Sequence, residues 1–200
     1  MFLSSYTAIK AGGWLRALVD PIAMGKAGIA GTTGSYESHA SSYLSAPNGP
    51  RKKATPARIA RGLVNFGRVR LQYDRFPNPH VRTSAFAIRR DVFLDIAMPP
   101  LRTKADAERM ESGKRGLTRE VEGRGFGAVV VGRDGVIYPA GRFRESHTFR
   151  IGGQCNLLIA DNRTRGYCAA ADSERRILRE ITWGDATDLQ CACCGTSYER

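Results

Sequence analysis

The sequence predicts an α/β domain: a mixed sheet flanked by helices and carrying one β-hairpin. Short runs of apolar and β-branched residues bounded by Gly, Pro or Asp-Gly recur along the chain, and they alternate with longer stretches whose apolar residues repeat at helical spacing. Size agrees. At 200 residues and 42% hydrophobic content, one core can form without disulfide or metal staples.

Residues 1–24 read as an N-terminal helix with Trp14, Leu15, Leu18 and Val19 on one side, ended or kinked at Pro21. Lys10, Arg16 and Asp20 interrupt its apolar stretch, so neither a signal peptide nor a spanning helix fits, and a cytoplasmic location is expected. The apolar run 27–30 reads as a strand emptying into a glycine-containing loop. Residues 35–56 are rich in Ser, Pro, Gly and Asn and show no apolar period, which marks a loop. Ile59, Leu63 and Phe66 then stand at i, i+4 and i+7, an amphipathic helix with Arg58, Arg61 and Arg68 mostly off the stripe.

Residues 84–88 read as a strand and 91–96 as a short helix stopped by Pro99 and Pro100. Thr103 is placed to cap the next helix, with Asp106 as a weak capping-box partner. Ala107, Met110, Leu117 and Val121 keep helical spacing, and Gly113 and Gly116 leave one helix or two open. Runs 128–131 and 136–138 joined through Asp134-Gly135 predict a hairpin. Residues 156–160 give one more strand, followed by a polar stretch at 161–165. Asp172 or Ser173 is placed to cap a last helix that turns Ile177, Leu178 and Ile181 to the core and ends near Trp183 and Gly184. The expected organisation is an N-terminal helix at 1–25, a main domain at 26–184 with a mobile basic loop at 39–57, and an irregular tail at 185–200.

Charge and cysteines narrow the chemistry. A net charge of +12 points to an anionic partner, and nucleic acid, acidic lipid headgroups and nucleotide diphosphates all qualify. Five cysteines do not make the even framework of a secreted scaffold. Cys191 and Cys194 form one Cys-x-x-Cys around Cys193, with Cys155 and Cys168 upstream, but no second pair at zinc-site spacing follows. No metal ligand is assigned.

Four clusters carry candidate chemistry. Gly31-Thr32-Thr33-Gly34-Ser35-Tyr36-Glu37-Ser38 follows a strand, where glycines let backbone approach a ligand; a plain strand-to-loop turn explains it equally. Phe76-Pro77-Asn78-Pro79-His80-Val81-Arg82-Thr83 fixes a rigid turn and brings a titratable imidazole beside a permanent cation. Lys104, Glu108 and Glu111 share a helix face, which supports surface ion pairs or, for Glu111, a general base. Asp161-Asn162-Arg163-Thr164-Arg165 follows a strand, either as ligand contacts or as a hydrated turn.

In this order the clusters resemble a group of bacterial glycosyltransferase-like proteins of the GT-A type. The shared elements are Gly-x-x-Gly-Ser-x-Glu-Ser at 31–38, Pro-Asn-Pro-His-x-Arg-Thr-x-x-Phe at 77–86 and Lys-x-Asp-Ala…Glu-Ser-Gly…Leu-Thr-Arg at 104–119. Val-Val-Gly-Arg-Asp-Gly at 130–135 and Gln-x-Asn-Leu-Leu-x-Ala-Asp-Asn-x-Thr-Arg at 154–165 complete them. The resemblance covers about 26–184. It implies an incomplete GT-A-like fold, the acceptor side of an enzyme that moves a sugar from a nucleotide-sugar to a saccharide or lipid-linked acceptor in polysaccharide synthesis.

It further implies Glu111 as the base, with Gly34, Ser35, Glu37, His80, Arg82, Thr83, Lys104, Asp161, Asn162 and Arg163 shaping the substrate pocket. Such enzymes hold Mg or Mn on the donor diphosphate through Asp-x-Asp. No Asp-x-Asp occurs in this sequence. The expectation is therefore a chain inactive alone or complemented by a partner chain that supplies the donor site, with residues 1–25 a remnant of the donor half. Segment 51–70 would give peripheral contact with the inner membrane face. The competing expectation is a basic nucleic-acid-binding protein acting through phosphate contacts along 51–70.

Overall fold

The computed structural model describes residues 1–41, 56–98 and 100–189. Most of the expected basic loop and the Cys191–Cys194 cluster lie outside them. In chain order the elements begin with β1 (Phe2–Leu3), β2 (Ala8–Ile9), α1 (Trp14–Ala23), β3 (Ile29–Gly31), β4 (Gly34–Ser35) and α2 (Pro56–Gln72). Next come β5 (His80–Val81), β6 (Ala85–Ile88), α3 (Arg90–Asp95), α4 (Lys104–Ser112), α5 (Leu117–Glu122), β7 (Ala128–Val131) and β8 (Ile137–Pro139). Two 3-10 segments, Ala140–Ser146 and Gly152–Gln154, lead to β9 (Ile159–Ala160), α6 (Asn162–Ala169) and α7 (Asp172–Trp183).

The fold is mixed α/β, as the sequence predicts. Five strands form the central sheet in the order β1-β6-β3-β7-β8; β3 and β7 run parallel and their neighbours antiparallel. Two small antiparallel pairs, β2 with β9 and β4 with β5, stand beside it. Both faces of the sheet are covered, and the pleat sorts the side chains. Ala128 and Val130 join one core while Val129 and Val131 join the other. All four are buried, which explains a continuous β-branched run where a half-exposed strand would alternate.

On one face α1 lies over Ala30, Ala85 and Ala87, small residues that admit a close helix, and fully buries Leu18. On the other, Leu117 and Val121 of α5 pack with Phe86, Phe143, Phe149, Ile151 and Trp183. Phe143 and Phe149 are fully buried, and truncating either to Ala would cost about 3–5 kcal/mol.

The hairpin, the break between α4 and α5, and the Thr103 capping box with Asp106 are all present. Four expectations are corrected. Residues 1–13 carry β1 and β2, and the N-terminal helix starts only at Trp14. Strands of two residues are too short to register a period. Within α1 the buried side is Leu18 with Pro21, while Leu15 and Val19 are exposed. Only 159–160 of the expected strand at 156–160 pairs, and the polar stretch after it opens α6 instead of forming a turn. Finally, α7 starts after Ala171 without a side-chain cap, and Ile177 and Ile181 are exposed while Thr182 and Trp183 are buried.

No helix among the described residues is long and apolar enough to cross a membrane. Of segment 51–70, residues 51–55 lie outside the described set, and the Arg70 guanidinium rests over the Phe66 ring at 5.5 Å.

Candidate functional site

Pairing of β4 with β5 sets Gly34 opposite Val81 and Ser35 opposite His80. This brings the loop after Ser35 beside the segment from His80 to Thr83. The glycines serve this packing. A Cβ on Gly31 would stand 2.3 Å from Val81 Cγ1, and one on Gly34 would stand 2.5 Å from a Phe143 ring carbon. Gly34 and Ser35 are therefore buried behind the site and do not line it; Ser35 Oγ accepts from the Glu37 amide at 3.0 Å.

In front lies a cleft of about 180 Å³ lined by Glu37, His80, Thr83, Lys104, Glu111 and Arg163, together with His39, Glu108, Ala107 and Ser112. Six predicted side chains, drawn from positions spread over more than half the chain, meet there. Sequence reasoning missed His39 as a lining residue and gave Glu108 only an ion-pair role. Arg82 and Asp161 lie beneath the cleft, and Asn162 is exposed at the start of α6 without lining it.

Glu111 sits near the C-terminus of α4. The Thr83 amide donates to its Oε2 at 2.9 Å and the Thr83 hydroxyl donates to the same oxygen. Burial alone would raise its pKa, but the Arg82 cation, His80 and the two Thr83 donors outweigh burial and hold it below the usual 4.5. The carboxylate is thus ionised near neutral pH, and Oε1 has no hydrogen-bond partner among the described residues. The surface ladder suggested by its spacing stops one turn earlier, at Lys104 and Glu108, whose charged atoms are 3.7 Å apart.

His80 is 5% exposed, and its Nδ1 lies 2.8 Å from the Asn78 carbonyl oxygen. A carbonyl only accepts, so Nδ1 carries the proton. Burial depresses the pKa below 6.5, against the opposing pull of Glu111. The ring is therefore neutral, and His80 is one of the residues lining the cleft. The turn that delivers it contains a cis Phe76–Pro77 bond and is fastened to the end of α4, where Asn78 Nδ2 donates to the Ser112 carbonyl at 2.7 Å.

Beneath, Arg82 pairs with Asp161 at 2.8 Å, with side chains 5% and 4% exposed, and its guanidinium lies 4.0 Å from the Phe149 ring centre. Asp161 also caps α6, accepting from the Thr164 amide at 2.7 Å. One carboxylate therefore ties the start of α6, and with it Arg163, to the segment after β5. Arg150 adds a second buried cation that sequence reasoning missed. It holds Thr182 Oγ1 at 3.0 Å and Glu37 at 3.5 Å, and burial lowers its pKa to about 10 although Glu37 opposes the shift. Its φ is +48°, flanked by His147 at +51° and Gln154 at +55°. The sole hint in the sequence is Gly152-Gly153, in the same left-handed stretch.

The divalent cation implied by the resemblance does not fit these residues. Among the described residues no group of three or more His, Cys, Asp or Glu is arranged to hold a metal. Of the nearby carboxylates, Asp161 is held by Arg82 and a helix N-terminus, Glu37 by Arg150 and Glu108 by Lys104, so only Glu111 Oε1 is left open, a single ligand.

No family model, curated protein or solved structure matches this chain. The class of protein is thus set by fold and site alone: a mixed α/β domain with a small, charge-balanced cleft built around an ionised glutamate.

Proposed function

We propose that the cleft is the acceptor side of a glycosyl transfer site, with Glu111 the base that takes the proton of an acceptor hydroxyl. The observation that carries this reading is the meeting of Glu37, His80, Thr83, Lys104, Glu111 and Arg163 in one cleft. Five of them hold specified positions in three separated motifs of the resemblance, and Arg163 stands at a variable position of a fourth.

The chemistry is consistent. As the acceptor oxygen bonds to the anomeric carbon, the bond from that carbon to the donor's phosphate oxygen breaks, and the hydroxyl proton passes to Glu111. A carboxylate of depressed pKa is a weak base, so the proton moves late, when attack has already made the hydroxyl acidic. Thr83 fixes one carboxylate oxygen and leaves the other to the substrate, so the base is oriented before the acceptor arrives. No step passes through a metal held by these residues. In this reading the donor diphosphate is held by a partner chain.

The test is transfer to oligosaccharide acceptors, or hydrolysis of nucleotide-sugars, by the purified protein alone and with candidate partner chains. Activity reduced about 10²–10⁴-fold by Glu111→Gln is expected of a lost general base. Undiminished turnover in that variant would remove Glu111 from the mechanism.

A further inference from the structure

We propose that the C-terminal half of α2 and the apolar groove beside it form a surface that binds an anionic lipid bilayer, with Val64 and Leu71 entering the interface and Arg68 and Arg70 meeting lipid phosphates. The inference is independent of the glycosyl-transfer reading.

This half of the helix has two apolar stripes, and the core uses one. Phe66 and Val69 are half-buried, and Tyr73 just after the helix continues their stripe and is buried. Val64 and Leu71 stand seven residues apart on the opposite face, 70% and 78% exposed. Single exposed apolar side chains are ordinary. These two share their face with Arg68, at i, i+4 and i+7, and Leu71 is also a wall of a groove of about 430 Å³ lined by Ile96, Met98 and Met110. An apolar stripe that the fold leaves in water, continuous with an apolar groove, marks a contact surface.

The charge beside that stripe is one-sided. Residues 38–73 hold seven Lys and Arg and no Asp or Glu, and α2 itself carries four of those arginines. Arg68 has no hydrogen-bond or ion-pair partner among the described residues, and the Arg70 guanidinium meets only the Phe66 ring. The next acid along the chain, Asp74, faces Arg119 at 3.6 Å. Charges at the groove are matched: Arg109 pairs with Asp106, and Arg115 and Arg124 share Glu120. The surplus of cations therefore lies on the helix, next to the exposed valine and leucine.

That combination selects the partner. Nucleic acid would neutralise the arginines and offer nothing to Val64 and Leu71, and the one aromatic residue of α2, Phe66, already lies under Arg70. A bilayer interface supplies both halves: phosphates for the guanidiniums, and the headgroup and acyl boundary for the apolar side chains, with the arginine stems spanning the two.

The test is co-sedimentation of the full chain with vesicles of phosphatidylcholine, alone or with phosphatidylglycerol as about a third of the lipid. Duplex DNA and polyglutamate are titrated in parallel. Binding to the anionic vesicles at least about ten-fold tighter than to the neutral ones is expected. Replacing Arg68 and Arg70 together by Gln should weaken it roughly 10–30-fold, and replacing Val64 and Leu71 together by Ser should weaken it by at least about ten-fold. Both pairs are exposed, so the urea midpoint should stay near that of the parent. No binding to anionic vesicles, equal binding to neutral ones, or binding that survives the Ser pair would overturn the proposal. DNA or polyglutamate held as tightly as the anionic vesicles, and indifferent to the Ser pair, would assign the arginines to a soluble polyanion and overturn it as well.

Discussion

Replacing Arg82 by Met should be one of the most damaging single changes beneath the cleft. Arg82 and Asp161 are 2.8 Å apart with side chains 5% and 4% exposed, so solvent does not screen the pair. Removing one partner of such a pair strands a buried charge and costs about 3–5 kcal/mol. Loss of the guanidinium from the Phe149 ring, 4.0 Å away, adds about 0.5–2 kcal/mol, partly offset by the apolar stem that Met retains. A net loss of about 4 kcal/mol lowers the midpoint of thermal unfolding by roughly 8–16 °C in a chain of this size. Urea unfolding followed by tryptophan fluorescence measures it, because Trp183 is buried in the adjoining core. Adding Asp161→Asn removes the stranded charge and keeps an oxygen for the Thr164 amide, so the double variant should regain about 2 kcal/mol or more. A single variant within 1 kcal/mol of the parent, or two losses that simply add, would refute the account of Arg82 as the partner that makes a buried Asp161 tolerable.

Other outcomes follow from the same geometry. Gly34→Ala forces a Cβ against Phe143 at 2.5 Å and Val130 at 2.9 Å and should destabilise by about 1–3 kcal/mol; an unchanged urea midpoint would contradict that packing. Thr103→Ala removes the cap of α4 and should cost about 1 kcal/mol, read from the same curves. Stability should also fall with pH in two stages. The folded pKa of His80 is below 6.5, so its contribution is full above pH 6.5 and declines as the unfolded chain takes up the proton first. Glu111 is held below 4.5, so its contribution is full above that pH and is lost as pH falls through the folded value. A urea midpoint flat from pH 7 to 5 would contradict the first stage, and His80→Gln should reduce it without abolishing it, because burial also lowers the pKa of His147.

Local chemistry was legible where a residue's role depends on near neighbours. Thr103 with Asp106, and Asp134 with Gly135, announce a helix start and a hairpin because the groups involved are three residues apart or adjacent. Six cleft residues could be named because the resemblance joins motifs that the fold brings together. The rest depended on distant partners. Gly31 and Gly34 suggest a ligand loop until Val81 and Phe143 are seen filling the space. Asp161 suggests a hydrated turn until Arg82, 79 positions away, is found beside it. Arg150 looks like one more surface arginine, since nothing local tells that it turns inward to Glu37. Ile177 and Ile181 satisfy helical spacing yet stay exposed, because spacing defines a face without saying which side meets the core.

The first ten residues have a role that their brevity conceals. β1 pairs with β6, just after Arg82 and Thr83, and β2 pairs with β9, just before Asp161 and Arg163. The two halves of the cleft floor, far apart in the sequence, are thus each stitched to the same short leader. Trimming residues 1–10 would remove both pairings and leave the two sides joined by the Arg82–Asp161 pair, with β6 still held by β3. A chain shortened in that way is expected to rest more of its stability on that one buried pair.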